Sequence, residues 1–132
     1  MSTARAVNPW TWQDAYGFSQ AVEIRDAGRQ LVCSGQTSVD TAGRPLHAGD
    51  LRAQLRQSLA NLQTVLAAAG MDFSNVVRLN YYTTDVSAYL AASDEVDACF
   101  KGIACKPAGT LLGVAALFHP DILIELEATA ID

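Results

Sequence analysis

The apolar residues Leu51, Leu55, Leu59, Leu62, Leu66 and Ala69 recur at spacings of three and four. That period puts them on one face of an α-helix, since 3.6 residues complete a turn. Asp50 stands where a carboxylate can accept a bond from a free N–H of the first turn, and Gly70 suits the left-handed residue that stops a helix. A second helix is expected from Asp85 or Ser87 onward, with Tyr89, Ala92, Val96 and Cys99 or Phe100 on its buried side. Elsewhere the period drops to two. Residues 20–25 alternate apolar and polar, Asp26-Ala27-Gly28 is turn chemistry, and residues 30–34 resume as a strand, which together predict a β-hairpin. Residues 75–84, rich in Val, Leu and Tyr, predict a further strand, and residues 115–118 and 122–130 two closing extended segments. Residues 1–15, with Pro9, Trp10 and Trp12, read as an irregular lead-in.

The resulting order, ββ-α-β-α-β with short connections, fits one domain over residues 1–132. Two helices and five or six strands predict a two-layer α+β sandwich with both helices on one sheet face. A chain of this length buries roughly two-thirds of its unfolded surface. The opposite sheet face looks apolar enough to need cover, which predicts an oligomer packed sheet against sheet.

Half of the residues are hydrophobic and 17% are charged, a balance that suits a packed globular core. No apolar run approaches the ~20 residues that span a bilayer, so no membrane partner is expected. The opening Met1-Ser2-Thr3-Ala4-Arg5-Ala6 lacks the apolar stretch of a secretory signal, and a cytoplasmic location is expected. Net charge is −5 and the basic residues are scattered singly, which disfavours nucleic acid. Three cysteines without a CxxC pair, and two histidines without a metal-binding spacing, predict reduced thiols, no metal and no cofactor.

Several short segments carry a further pattern in order: Phe18-Ser19-Gln20-Ala21-Val22, Cys33-Ser34-Gly35-Gln36, residues 54–62, Ala67-Ala68-Ala69-Gly70, Thr84-Asp85, Lys106-Pro107-Ala108, and Ile124-Glu125-Leu126-Glu127-Ala128. Together they make the chain resemble the RidA/YjgF family of reactive-intermediate (enamine/imine) deaminases, from about residue 16 to the C-terminus. The resemblance implies a chorismate-mutase-like α+β fold with a mixed sheet. It also implies a homotrimer with small-molecule clefts between subunits, each lined from two chains. In the deaminases an arginine after Pro-Ala holds the substrate carboxylate, and a terminal-strand carboxylate helps position the water that attacks C=N.

Gly109 occupies that arginine's position, followed by Thr110 and by Leu111, where some members have cysteine. A guanidinium fork matches a carboxylate geometrically, so its loss argues against a simple 2-imino acid as ligand. Lys106 is the nearest candidate substitute in sequence. Glu125 aligns with the catalytic carboxylate, while Glu127 reads as structural or solvated. Phe18 stands in place of a tyrosine, Ser34 and Gly35 match a cleft-lining motif, and Ser93 falls where some members have asparagine. His119 extends a turn near the expected cleft mouth, where a histidine can exchange protons near neutral pH. The implied function is water addition to a small enamine, imine or related metabolite. The alternative is a trimer of the same shape that binds a small molecule without turning it over. The family's older ribonuclease label fits poorly with the negative charge and the lack of a histidine pair for acid–base cleavage.

Overall fold

The computed structural model describes residues 3–132. Helix α1 (Leu51–Ala68) begins as its sequence dictates, with the Asp50 carboxylate accepting the Ala53 N–H at 3.0 Å. It ends in a left-handed stop. Gly70 has φ +72°, its N–H bonds to the Ala67 carbonyl, and the Met71 N–H reaches back to Leu66, both at 2.9 Å. The buried stripe Leu51, Leu55, Leu59, Leu62 and Leu66 packs on the last strand, β6 (Ile124–Ile131), through Ile124, Leu126, Ala128 and Ala130. These two surfaces form the centre of the core.

The main sheet runs β3 (Gln30–Val32), β6, β4 (Val76–Thr83), β5 (Leu111–Gly113). Only β4 and β5 are parallel, which makes the sheet mixed. Helices α1, α2 (Val86–Ala92) and α3 (Asp94–Cys99) sit with the buried side of this sheet. The fold class is α+β, as the periodicities require.

Four local expectations change. The segment at 20–34 is not a hairpin: β2 (Ala21–Arg25) pairs with β1 (Thr3–Val7) in a separate two-stranded ladder. The Gly28 and Arg29 N–H groups go to the Asp132 carbonyl, so β3 takes its register from β6 rather than from β2. From Thr3 onward the lead-in forms β1 and a 3₁₀ turn at Trp12–Tyr16, while its first two residues lie outside the described ones. Residues 115–118 form no strand. β5 lies upstream, and its pairing ends where the Val114 N–H meets the Thr83 carbonyl, the last residue of β4. The second helix is two short ones joined at Ser93, whose hydroxyl donates to the Leu90 carbonyl at 3.0 Å, a bond that competes with regular helix continuation.

The far sheet face is also more polar than expected. Val32 and Leu112 are exposed there, but Asn80, Tyr82, Glu125 and Glu127 share the face, and Glu127 accepts from both Asn80 and Tyr82. Arg52 ties the helices together: it donates to both Asp94 and Glu95, and to the Ala91 carbonyl at 2.7 Å.

Gln54 fixes the approach to β6. Its fully buried amide donates to the carbonyls of His47 (3.1 Å) and Asp121 (2.6 Å) and accepts the Leu123 N–H (2.8 Å). Gln54→Leu keeps the volume but strands the Asp121 carbonyl and the Leu123 N–H, while the His47 carbonyl keeps the Asp50 N–H, and each buried unpaired group carries a penalty. We expect a loss of about 3 kcal/mol, read from urea unfolding. An unchanged midpoint would show that these groups find other partners.

Candidate functional site

The 3₁₀ turn at Trp12–Tyr16, the α2–α3 junction and the β4–β5 edge enclose a cavity of about 480 Å³. Ser19 holds the first wall in place. Its N–H bonds the Pro107 carbonyl (3.1 Å) and its buried hydroxyl the Lys106 carbonyl (2.5 Å), which fastens the segment after Phe18 to the segment before Gly109. Trp12 stands edge-on to Phe18 with ring centres 5.7 Å apart, and to Tyr16 at 6.3 Å. Across the cavity Tyr81 and Tyr89 tilt together at 5.2 Å. Burial pushes both phenols upward, Tyr81 well above its usual value, so both stay neutral at physiological pH. The cavity is therefore largely aromatic, an apolar surface with a few polar rims.

Gly109 lies on the cavity wall as backbone. Before it, Ala108 exchanges bonds with β4 at Val77 (3.0 Å) and Leu79 (2.9 Å); after it, the Thr110 carbonyl accepts the Tyr81 N–H (2.9 Å). The Thr110 N–H is taken by the Asn80 side chain at 3.2 Å. Between these anchors the chain presses on β4 so closely that a Cβ on Gly109 would overlap the Leu79 carbonyl oxygen and lie 3.1 Å from its carbon. The position is thus more than an arginine with its side chain removed. The local backbone has settled into space that any side chain would contest.

Glu125 belongs to a different surface. Alternation along β6 sends Ile124 and Leu126 into the core and Glu125 to the far sheet face. Reciprocal bonds between Gln36 and Leu126 (2.7 and 2.9 Å) carry Gly35 over Glu125, where a Cβ on the glycine would overlap the carboxylate and approach Cγ to 2.9 Å. Burial first, and then the Glu127 charge, raise the Glu125 carboxyl above its usual range. Glu127 behaves oppositely: bonds from the Tyr82 hydroxyl (2.8 Å) and the Asn80 amide (3.2 Å) lower it. Two carboxylates two residues apart are thereby given different proton affinities.

Of the residues singled out in sequence, Phe18, Ser93, Gly109, Thr110 and Leu111 line the cavity. Ser34, Gly35 and Glu125 do not. The cavity and the Glu125–Gly35 pair therefore lie on opposite sides of the sheet. Lys106 does not line the cavity, and its ammonium donates to the Phe100 carbonyl. His119 sits in its turn, with Nδ1 accepting the Asp121 N–H at 3.1 Å. Sequence reasoning missed Trp12, Tyr16, Tyr81 and Asp97, which also line the cavity. Among the described residues no cluster of three or more His, Cys, Asp or Glu side chains could hold a metal ion, and no helix is long and apolar enough to cross a membrane.

Residues 12–132 match the family described as Endoribonuclease L-PSP, the YjgF/RidA grouping. The chain belongs to this family. Protein DfrA of Myxococcus xanthus is 36% identical over 86% of this chain and 84% of its own length. The 2-iminobutanoate/2-iminopropanoate deaminase of Mus musculus is 32% identical over 86% of this chain and 80% of its own. Among solved structures, the Rid-family protein YyfB from Yersinia pestis superposes with a TM-score of 0.87 at 39% identity, covering 97% of this chain and 98% of that one. The YjgF gene product of E. coli gives 0.69 at 29% identity, covering 86% and 87%. Family membership and the chorismate-mutase-like α+β architecture thus agree with the pattern read in the sequence.

The two glycines differ in what opposes a side chain. At Gly109 the obstacle is backbone, so Gly109→Ala should destabilise by about 1–3 kcal/mol. At Gly35 it is the end of a flexible glutamate, so Gly35→Ala should cost less while displacing the carboxylate. Thermal melts of both variants would check the order. A Gly109→Ala protein as stable as wild type would mean that the segment moves away freely.

Proposed function

We propose that the chain is a Rid-type protein that adds water to a small enamine or imine in a cleft completed between copies of the chain. The observation that carries this reading is the separation of the half-sites. The aromatic cavity and the Glu125–Gly35 pair lie on opposite sides of one chain, so a second copy must bring its Glu125 face to the first copy's cavity for the two to act together. A homotrimer, which the family resemblance implies, would allow such a pairing. The deaminase name carried by relatives such as the mouse protein supplies the reaction class.

In this reading the cavity binds the body of the ligand, and Glu125 of the neighbouring copy serves the reacting carbon. A carboxyl with raised proton affinity suits both halves of the reaction. As carboxylate it accepts a proton from the attacking water while the C–O bond forms. As acid it returns that proton to the nitrogen of the carbinolamine formed from the protonated imine; the C–N bond then breaks, ammonia leaves, and the hydroxyl gives its own proton to the carboxylate as the carbonyl forms. Gly35 lets the substrate come close to the backbone beside that carboxyl. With glycine at 109 and Lys106 engaged elsewhere, the cavity offers a substrate carboxylate no guanidinium or ammonium, so 2-imino acids are poor substrates.

A non-catalytic binding trimer is the second reading, favoured by the apolar or absent side chains at Phe18, Gly109 and Leu111. Ammonia release from freshly generated imines with and without a carboxylate separates the two. Turnover confined to imines lacking the carboxylate, falling about 100-fold in Glu125→Gln, is the expected result. Equal rates for Glu125→Gln and wild type would remove the role of Glu125. Rapid turnover of 2-imino acids would contradict the specificity, and silence on all imines would favour the binding module.

A further inference from the structure

Among the described residues the one charged side chain that lines the cavity is Asp97, an acid. The neighbouring acids of α3 are already committed: Asp94 and Glu95 bond Arg52 at 2.8 and 2.9 Å, and Glu95 also bonds Arg56 at 2.9 Å. No such partner stands on Asp97 among the described residues. Its carboxylate is held beside the aromatic wall through Gly17, which has φ +71° and so closely faces Asp97 that a Cβ would lie 2.9 Å from Oδ1. The rings of Trp12, Tyr16 and Phe18 therefore gather on the same side of the cavity as an unneutralised negative charge.

Aromatic faces attract a cation through their quadrupole, most strongly when tryptophan is among them, and a carboxylate at the rim adds direct attraction. We propose that this cavity selects an organic cation: a protonated amine or iminium carried on an apolar or aromatic body. The cavity is roomy enough for such a body, and the chain's net charge of −5 favours the approach of cations over anions. The inference rests on the reading of this cavity as the ligand-holding half of the cleft, and it adds the charge of the ligand to that reading.

Three molecules of similar shape test it by isothermal titration: 2-phenylethylammonium, 2-phenylethanol and 3-phenylpropanoate. The ammonium should bind at least about fivefold more tightly than the alcohol, with the propanoate weakest. Asp97→Asn should lower the ammonium-to-alcohol ratio, leaving only the share owed to the rings, with the alcohol unchanged, a result that general loss of the pocket would not give. Propanoate binding as tightly as the ammonium, or an unchanged ammonium-to-alcohol ratio in Asp97→Asn, would overturn the cation preference while leaving the cavity a ligand site. Failure of all three to bind at millimolar concentration would overturn the cavity as a ligand site too. The ammonia-release assay on Glu125→Gln reads the catalytic half separately.

Discussion

The contact on which the site depends is the press of one backbone against another. Residues 106–111 are bound to β4 on one side and to Ser19 on the other, and Gly109 sits between these anchors against the Leu79 carbonyl. Because the closest atoms are backbone, the contact is rigid, and it sets how far Thr110 and Leu111 stand from Phe18. In the proposed reading it also bears on the chemistry: the position that the family resemblance aligns with a carboxylate-binding arginine is packed main chain here, which leaves recognition to the rings and to Asp97. Absence of a side chain and close approach of the backbone are two aspects of one arrangement.

The other half of the proposed chemistry is arranged by strand alternation. A period of two along β6 puts Ile124 and Leu126 into the core and Glu125 outside it, with Gly35 brought over the carboxylate by the Gln36–Leu126 bonds. Partial burial under this cover, and then the nearby Glu127 charge, raise the proton affinity of Glu125 above the usual carboxylate range. Glu127, paired with Tyr82 and Asn80, stays a stronger acid with a separate environment. Neither carboxylate reaches the aromatic cavity of its own chain, which makes the meeting of two chains a geometric requirement of the proposed reaction.

Helix α1 was legible because its signals are local: a leucine stripe of period 3.6, Asp50 at one end and Gly70 at the other. The pairing of β2 with β1 was hidden. A strand's partner is set by distant backbone groups, here the Asp132 carbonyl that draws Gly28 and Arg29 away from a hairpin. The break at Ser93 depends on one hydroxyl choosing its own helix backbone. Candidate positions such as Phe18, Ser93, Gly109 and Leu111 were found through the resemblance. The aromatic walls were not, because Trp12, Tyr81, Tyr89 and Asp97 lie far apart in sequence and read separately as lead-in, strand and helix. The open sheet face looked apolar because alternation is visible in sequence, whereas the bonds that satisfy Asn80, Tyr82 and Glu127 are not.

The most direct test is whether the two half-sites meet across copies. A benzophenone side chain placed at Phe18, in a mixture of isotopically light and heavy chains, would be irradiated and its adducts identified by mass spectrometry. The account predicts adducts to peptides containing Gly35 or Glu125, with light–heavy pairs present as often as random mixing of chains allows. Adducts confined to single chains, or none to those peptides, would contradict a cleft completed by a second copy.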